Sequence, residues 1–223
     1  MKIQILECIE GAKKAKGLTV IIDVFRAFSL EAYLFSKGVK RIIPIGSLEK
    51  AFALKKEHPD WILFGERGGA QVDGCDFGNS PSQIQNKDLN NRICIHTTSA
   101  GTQGIVNAKS ADSIITGALV NASAIADYIR RKNPDVVSLV AMGNQGLTHC
   151  DEDVLCAEYI QSLLLEESFD LDSRIEALKE SDGKKFLDSS NLIFPEDDFY
   201  AATKVNLFDF VIEVHEDGNR KAF

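Results

Sequence analysis

The sequence predicts an α/β fold, a layered α/β/α arrangement with a largely parallel or mixed sheet. Two observations support it. Short apolar segments rich in β-branched residues alternate with segments whose hydrophobic residues recur at helical spacing, a pattern typical of successive strand–helix units. The run from Thr19 to Asp23 is also continuously apolar up to its carboxylate rather than alternating. A continuous run of this kind favours a strand covered on both faces.

The elements follow this alternation along the chain. Strands are expected at Ile3–Glu7, Thr19–Asp23, Arg41–Pro44, Trp61–Phe64, Arg92–Thr97, Ser113–Thr116, Val136–Ala141 and Phe210–Val214. Helices are expected at Ala27–Ser36, Leu48–Lys56, Thr102–Ala108, Ala122–Arg131 and Asp151–Glu166, with two or three shorter ones between Ser173 and Lys204. No proline- or serine-rich linker interrupts the chain, so we expect one domain over residues 1–223. Two lobes, with a more helical C-terminal part from about residue 168, are the alternative.

Composition excludes several classes of function. The net charge of −8 argues against a general nucleic-acid binder, and it requires local positive charge wherever an anion binds. No apolar segment approaches the roughly 18 residues of a membrane span, and no signal peptide is expected. The five cysteines form no C-x-x-C pair. We therefore expect reduced thiols, no structural zinc and a cytoplasmic protein.

The segment Gly65–Pro81, GERGGAQVDGCDFGNSP, holds five of the sixteen glycines together with three carboxylates and an arginine. Glycine is concentrated where backbone turns sharply or approaches a ligand closely. Glu66 is a candidate ligand for a hard cation such as Mg²⁺, and the guanidinium of Arg67 matches phosphate, sulfonate or carboxylate oxygens. The alternative is a mobile surface turn with a solvated Glu–Arg pair.

Polar side chains follow the ends of several predicted strands. Because the strands of an open α/β sheet deliver their ligand-binding residues at their carboxyl ends, we expect these positions to converge on one edge of one sheet. They are Asp23, Glu66 with Arg67, Thr97 to Ser99, and Met142 to Asn144. Asp23 is placed to hold a metal, and Arg26 follows in a first helical turn that favours anions. An N-cap aspartate with an arginine salt bridge is the alternative.

Three further motifs are placed to bind charge. Asn79 is a candidate oxyanion donor at a helix start, although helix capping also accounts for the Ser80–Pro81 step that follows it. A run of hydroxyls and a glycine forms a candidate oxyanion cradle, with capping again the alternative; its members are Thr97, Thr98, Ser99, Gly101 and Thr102. Glu152 and Asp153 open a helix and are candidates for metal ligation or for a general base.

The signatures of covalent phosphatases are missing, including C-x₅-R, R-H-G and D-x-D-x-T/V. A metal-activated water is therefore the simplest route if phosphoryl transfer occurs.

These motifs carry a family resemblance. VIIDVFRAFS, GERGG, DGCDFGNSP, TTSAGTQG, the run Asn121–Ala124 and EDVLCAEYI occur in the same order as in the 2-phosphosulfolactate phosphatases, which the chain resembles from about Val20 to Tyr159. The resemblance implies Mg²⁺-dependent hydrolysis of 2-phospho-3-sulfolactate to 3-sulfolactate and phosphate, a step toward coenzyme M. Glu158 departs from an alanine–glycine pair common in the family, so a related phosphorylated hydroxy acid stays an alternative substrate.

We combine the resemblance and the residues into one hypothesis. Asp23, Glu66 and Asp76 hold Mg²⁺, and the catalytic group consists of Asp23, Glu66, Glu152 and Asp153, with Glu152 or Asp153 taking the proton of the attacking water. The substrate is bound by Arg26, Arg67, Asn79, Thr97, Thr98, Ser99, Gly101 and Thr102. The partner is then a small anionic phosphorylated substrate, with neither nucleic acid nor a membrane, in a chain that is a candidate homodimer.

Two other functions stay open. One is a non-catalytic module that binds small anions, although acidic residues in the site count against it. The other is a Mg²⁺-dependent lyase or isomerase of hydroxy acids, which release of inorganic phosphate would distinguish from a phosphatase.

Overall fold

The structure, a computed structural model, describes residues 1–223. Its strands are β1 (Lys2–Glu7), β2 (Gly17–Ile22), β3 (Arg41–Pro44), β4 (Ile62–Arg67), β5 (Ala70–Gln71), β6 (Ile93–Thr97), β7 (Ala111–Gly117), β8 (Val136–Ala141), β9 (Val211–Glu213) and β10 (Arg220–Ala222). Its helices are α1 (Cys8–Lys14), α2 (Ala27–Ser36), α3 (Leu48–Glu57), α4 (Gly101–Asn107), α5 (Ala122–Lys132), α6 (Asp151–Leu165), α7 (Leu171–Leu178), α8 (Lys184–Leu187) and α9 (Glu196–Ala202), with 3₁₀ turns at Pro81–Ile84 and Leu119–Asn121.

The strands form two mixed sheets. The larger has the order β1-β8-β2-β7-β9-β10, in which the first four strands are parallel, β9 is antiparallel to β7, and β10 is antiparallel to β9. The smaller has the order β3-β6-β4-β5, with only β5 antiparallel. An isolated bridge between Ile42 of β3 and Asn219 links them. The predicted α/β class is confirmed. The expectation of a single sheet is wrong, because β3, β4 and β6 form a sheet separate from the one that contains β2 and β8.

The core is built on β2, whose six residues are all buried. Both edges of β2 are paired in parallel, with β7 on one side and β8 on the other, and a cluster of 41 buried hydrophobic residues surrounds it. The continuous apolar run is therefore a central strand, as its sequence predicts. Central burial of β2 matters for the site because it fixes the backbone that leads into Asp23.

The predicted elements are all present, with ends that differ by a few residues. The three helices α7 to α9 occupy the part of the chain where two or three were expected. The sequence patterns miss α1, β5 and β10, which have 7, 2 and 3 residues. Segments of these lengths are too short to show a clear period.

None of the helices combines the length and hydrophobicity needed to cross a bilayer.

Candidate active site

A cavity of about 530 Å³ lies where strands of both sheets end. Only 4 of its 20 lining residues are hydrophobic, which suits a small polar ligand better than an apolar one. The predicted site residues that line it are Asp23, Arg26, Glu66, Asn79, Ser99, Glu152 and Asp153. The expected convergence therefore occurs, but at the junction of two sheets rather than along the edge of one.

Asp153 ties together the ends of the two central strands. Its Oδ1 accepts from Val24 N at 2.7 Å, and its Oδ2 accepts from Gly143 N at 2.8 Å. These nitrogens follow β2 and β8, while Asp153 itself lies in the first turn of α6. Burial, with the negative charge of Asp23 nearby, raises the pKa of Asp153 to about 8. Since both its oxygens are engaged by backbone, Asp153 holds the cavity floor together.

Asp23 lies at the end of β2 with its carboxyl group in the cavity. Its Oδ1 accepts from Ala27 N at 3.1 Å. A Cβ atom at Gly101 would lie 3.0 Å from its Oδ2, so the absence of a side chain there lets α4 begin directly against Asp23. Burial raises the pKa of Asp23 to about 6; the Ala27 N–H opposes the rise, and the charge of Glu66 adds to it.

The Glu66 wall consists of Glu66, Gly69 and Ser99. Glu66 Oε1 accepts from Gly69 N and from Ser99 Oγ, both at 2.8 Å, and its Oε2 accepts from Ser99 N at 3.3 Å. Gly69 has φ +87°, and a Cβ there would lie 2.2 Å from the ring of Phe194. Only glycine fits this turn. The buried Glu66 carboxylate is thus fully supported by protein donors.

The Glu152 wall consists of Cys150, Glu152 and Asp182. Glu152 is 3% exposed, and its Oε2 has no hydrogen-bond partner in the protein. One donor atom from each of the three residues lies within 4.8 Å of the others. Burial, with the charges of Asp153 and Asp182, raises the pKa of Glu152 well above its ordinary value. A buried carboxyl oxygen without a partner is costly unless a cation or donor reaches it.

The sequence did not point to two residues here, one a member of this wall and the other lining the same cavity. Asp182 accepts from Asp151 N at 2.6 Å, which holds it at the start of α6. Lys185 of α8 also lines the cavity, and its positive charge opposes the rise in the pKa of Glu152. Both belong to a polar helical stretch without a recognisable motif. No local signal in the sequence connects that stretch to Glu152.

Arg26 is buried at the cavity edge, at the N-cap of α2. Its guanidinium donates to Asp198 Oδ2 at 2.9 Å, to Ile193 O at 3.1 Å and to Gly69 O at 2.6 Å. Guanidinium has five N–H donors, so two have no protein acceptor. The salt bridge foreseen for Arg26 therefore exists, but its partner Asp198 comes from α9.

The predicted oxyanion cradle is mostly occupied by protein contacts. Thr98 Oγ1 accepts from Thr102 N at 3.1 Å, and Thr102 Oγ1 donates to Thr98 O at 2.9 Å. Arg67 donates to the buried Thr97 Oγ1 at 2.9 Å and does not line the cavity. Of the predicted hydroxyls only Ser99 reaches the cavity wall. Mutual hydrogen bonds at the start of α4 therefore occupy Thr98 and Thr102.

Asp76 lies outside the cavity. Its Oδ2 accepts from Lys55 Nζ and from Leu63 N, each at 2.8 Å, and its side chain is 40% exposed. The turn after β5 places this carboxylate against α3 rather than beside Asp23. The geometry therefore corrects the expected metal set, since Asp76 is not positioned to share an ion with Asp23 and Glu66.

Comparisons with known proteins converge on one family. The family model described as 2-phosphosulpholactate phosphatase matches residues 3–217. A protein of Carboxydothermus hydrogenoformans is 37% identical over 228 aligned positions, covering 96% of this chain and 94% of the relative. One of Bacillus subtilis is 31% identical over 207 positions, covering 90% and 88%. One of Clostridium perfringens is 31% identical over 233 positions, covering 96% and 93%. Each of these relatives is named "Probable 2-phosphosulfolactate phosphatase".

Proposed function

The chain belongs to the 2-phosphosulfolactate phosphatase family of phosphoric monoester hydrolases, and we propose that it releases phosphate from 2-phospho-3-sulfolactate or a related phosphorylated hydroxy acid. The observation that carries this proposal is the polar cavity in which buried carboxylates meet Lys185 and Arg26. A site with both cation-binding and anion-binding groups suits a phosphate ester bound with a metal ion.

The residues present fit the Mg²⁺ that the family resemblance implies. Glu152 Oε2 is buried and has no protein partner, and the Asp182 carboxylate lies beside it. Mg²⁺ prefers oxygen ligands and takes one or two carboxylates together with substrate oxygens and water. Glu152 and Asp182 would hold the ion, and the Asp23–Glu66 pair, which also lines the cavity, is the other candidate for it.

When bound, Mg²⁺ polarises a phosphoryl oxygen and makes a bound water more acidic. The chain's own residues supply the rest of the chemistry. Asp23 would accept the proton of the attacking water, since a carboxyl group with a pKa of about 6 is suited to that task near neutral pH. Asp153 would keep the ends of β2 and β8 at a fixed separation through its two backbone contacts.

Positive groups around the cavity would hold the substrate. Lys185 and the two unpaired donors of Arg26 supply local positive charge in a chain whose net charge is −8. The Asn79 amide adds a neutral donor. Because 2-phospho-3-sulfolactate carries phosphate, sulfonate and carboxylate groups on a three-carbon frame, its binding requires several such donors at once.

The proposal is tested by phosphate release from a panel of phosphorylated hydroxy acids, with Mg²⁺ and with a chelator. We expect release from 2-phospho-3-sulfolactate or a close analogue, dependent on Mg²⁺ and lost in Asp23→Asn. Asp76→Asn is the matched control because its carboxylate lies outside the cavity; we expect it to keep wild-type turnover. Absence of phosphate release from the entire panel, by folded protein with Mg²⁺ present, would reject the proposal.

A further inference from the structure

A buried chain of polar side chains runs from the C-terminal turn to the cavity. Asn219 Nδ2 donates to Glu31 Oε2 at 2.9 Å, and Glu31 Oε1 lies 2.9 Å from His96 Nδ1. On the other side of the ring, His96 Nε2 lies 3.2 Å from Asn79 Oδ1. Glu31, His96 and Asn219 have no exposed surface, and Asn79 is 4% exposed. Asn79 is the member that lines the cavity.

The atoms that flank the His96 ring determine its hydrogen bonding. A neutral imidazole has one N–H donor and one acceptor nitrogen, whereas an imidazolium has two donors. Both neighbours of the ring are oxygens, Glu31 Oε1 and Asn79 Oδ1. His96 Nε2 therefore donates to Asn79 Oδ1, whereas the Nδ1–Glu31 contact forms with the hydrogen atom on either partner. Contacts on both sides of the buried ring hold it in place between Glu31 and Asn79.

This arrangement fixes the direction of the Asn79 amide. Its carbonyl oxygen accepts from His96, so its NH₂ group points away from the ring. That nitrogen has no hydrogen-bond partner in the protein, and it is not one of the unpartnered side-chain atoms that are fully buried. Two N–H donors are therefore available to an anion in the cavity that Asn79 lines. The reversed amide would instead present a carbonyl oxygen, which repels anionic oxygen.

We propose that His96, held by Glu31, is a positioning residue that orients Asn79 so that its amide N–H groups bind an anionic oxygen of the substrate. The proposal rests on the proposed function for the identity of that anion as a phosphate, sulfonate or carboxylate. His96 acts through Asn79 and does not touch the substrate. The network also places Asn219, in the turn before β10, in a supporting position far along the chain from the site.

The first test uses side-chain ¹⁵N spectra of the wild-type protein with inorganic phosphate as the probe. We expect His96 Nε2 to carry a proton and the Asn79 NH₂ signals to shift as phosphate is added. A ring whose Nε2 carries no proton, or Asn79 signals that phosphate leaves unchanged, would overturn the proposal. This measurement needs no turnover. It therefore separates failure of the positioning role from failure of the proposed phosphatase activity.

The second test is a double-mutant cycle on the kinetics of phosphate release. Asn79→Ala should raise KM about tenfold with a smaller change in kcat, as expected for a lost hydrogen bond to a charged group. His96→Gln should raise KM similarly, and the double variant should lose no more than Asn79→Ala alone. Multiplying losses would indicate that His96 acts independently of Asn79. His58→Gln is the control, since that ring stacks on Trp61 outside the cavity.

Discussion

The two acidic walls of the cavity differ in how their buried carboxyl groups are supported. Glu66 accepts three hydrogen bonds from Ser99 and Gly69, whereas one oxygen of the equally buried Glu152 has no protein partner. A carboxylate with several N–H and O–H donors is stable without a cation. An unpartnered one is not. From this contrast we infer separate tasks for the two residues, in which Glu66 shapes the wall and Glu152 is the proposed ligand of the cation.

The largest effect should come from removing the charge of Glu152. We expect Glu152→Gln to lower Mg²⁺-dependent phosphate release by about 10³-fold, the scale seen when a principal electrostatic group is lost. Mg²⁺ at about 100 times its dissociation constant should stabilise the wild type by about 2.7 kcal/mol, and a variant with at least tenfold weaker affinity should keep about 1.4 kcal/mol of this gain or less. Melting curves with and without Mg²⁺ measure it. A variant that keeps the full gain would remove the distinction between the walls.

The substitution Asp198→Asn tests the ion pair that supports the Glu66 wall through Arg26. Asp198 is the buried partner of Arg26, which also donates to Gly69 O. Breaking one side of a buried ion pair costs about 3–5 kcal/mol because the remaining charge is uncompensated. Urea unfolding should show a loss of this size. Breaking the exposed Arg130–Asp127 pair with Asp127→Asn is the control, and a loss as small as in that variant would contradict the assignment.

The pH dependence of the free energy of unfolding should reveal the raised pKa of Asp23, which lines the same cavity. Its pKa is raised in the folded protein to about 6 from 3.8, so its contribution to the free energy of unfolding is present below about pH 4 and is lost as the pH rises through about 6. At 1.36 kcal/mol per unit, the loss is about 3 kcal/mol. Metal-free wild type should therefore lose more stability over this window than Asp23→Asn, in denaturant unfolding with a chelator present. Parallel pH profiles for the two proteins would contradict the assignment.

The smallest effect should come from Glu66→Gln. The amide keeps one acceptor oxygen but loses the charge that strengthens its bonds to Ser99 and Gly69. We expect a loss of about 1–2 kcal/mol in the free energy of unfolding, measured in the absence of metal, while the Mg²⁺-induced stabilisation persists. Ser99→Ala, which removes one of the same bonds, is the matched control with a smaller loss. Disappearance of the Mg²⁺ effect would instead place the cation at the Glu66 wall.

Much of the fold and part of the site could be predicted from the sequence. Asp23 and Glu66 were accessible because a carboxylate directly after an apolar run marks the carboxyl end of a strand. Asp182 and Lys185 could not be predicted in this way. They reach the cavity because a helical segment packs beside it, and the sequence pattern of that segment indicates only a solvent-exposed face. Asp76 is the opposite case. The composition of its segment predicts a site residue, but its carboxylate pairs with a lysine and lies outside the cavity. The single domain, the homodimer and the cytoplasmic location stay predictions.

The central claim is tested most directly by calorimetric titration of the metal-free protein with Mg²⁺. Wild type, Glu66→Gln and Asp76→Asn should each bind one ion. Glu152→Gln should show at least about a 10–100-fold loss of affinity, the scale reported even for supporting groups around a metal, and Asp182→Asn should be weakened in the same direction. Mg²⁺ binding by folded Glu152→Gln with wild-type affinity would contradict the assignment of the cation to the Glu152 wall.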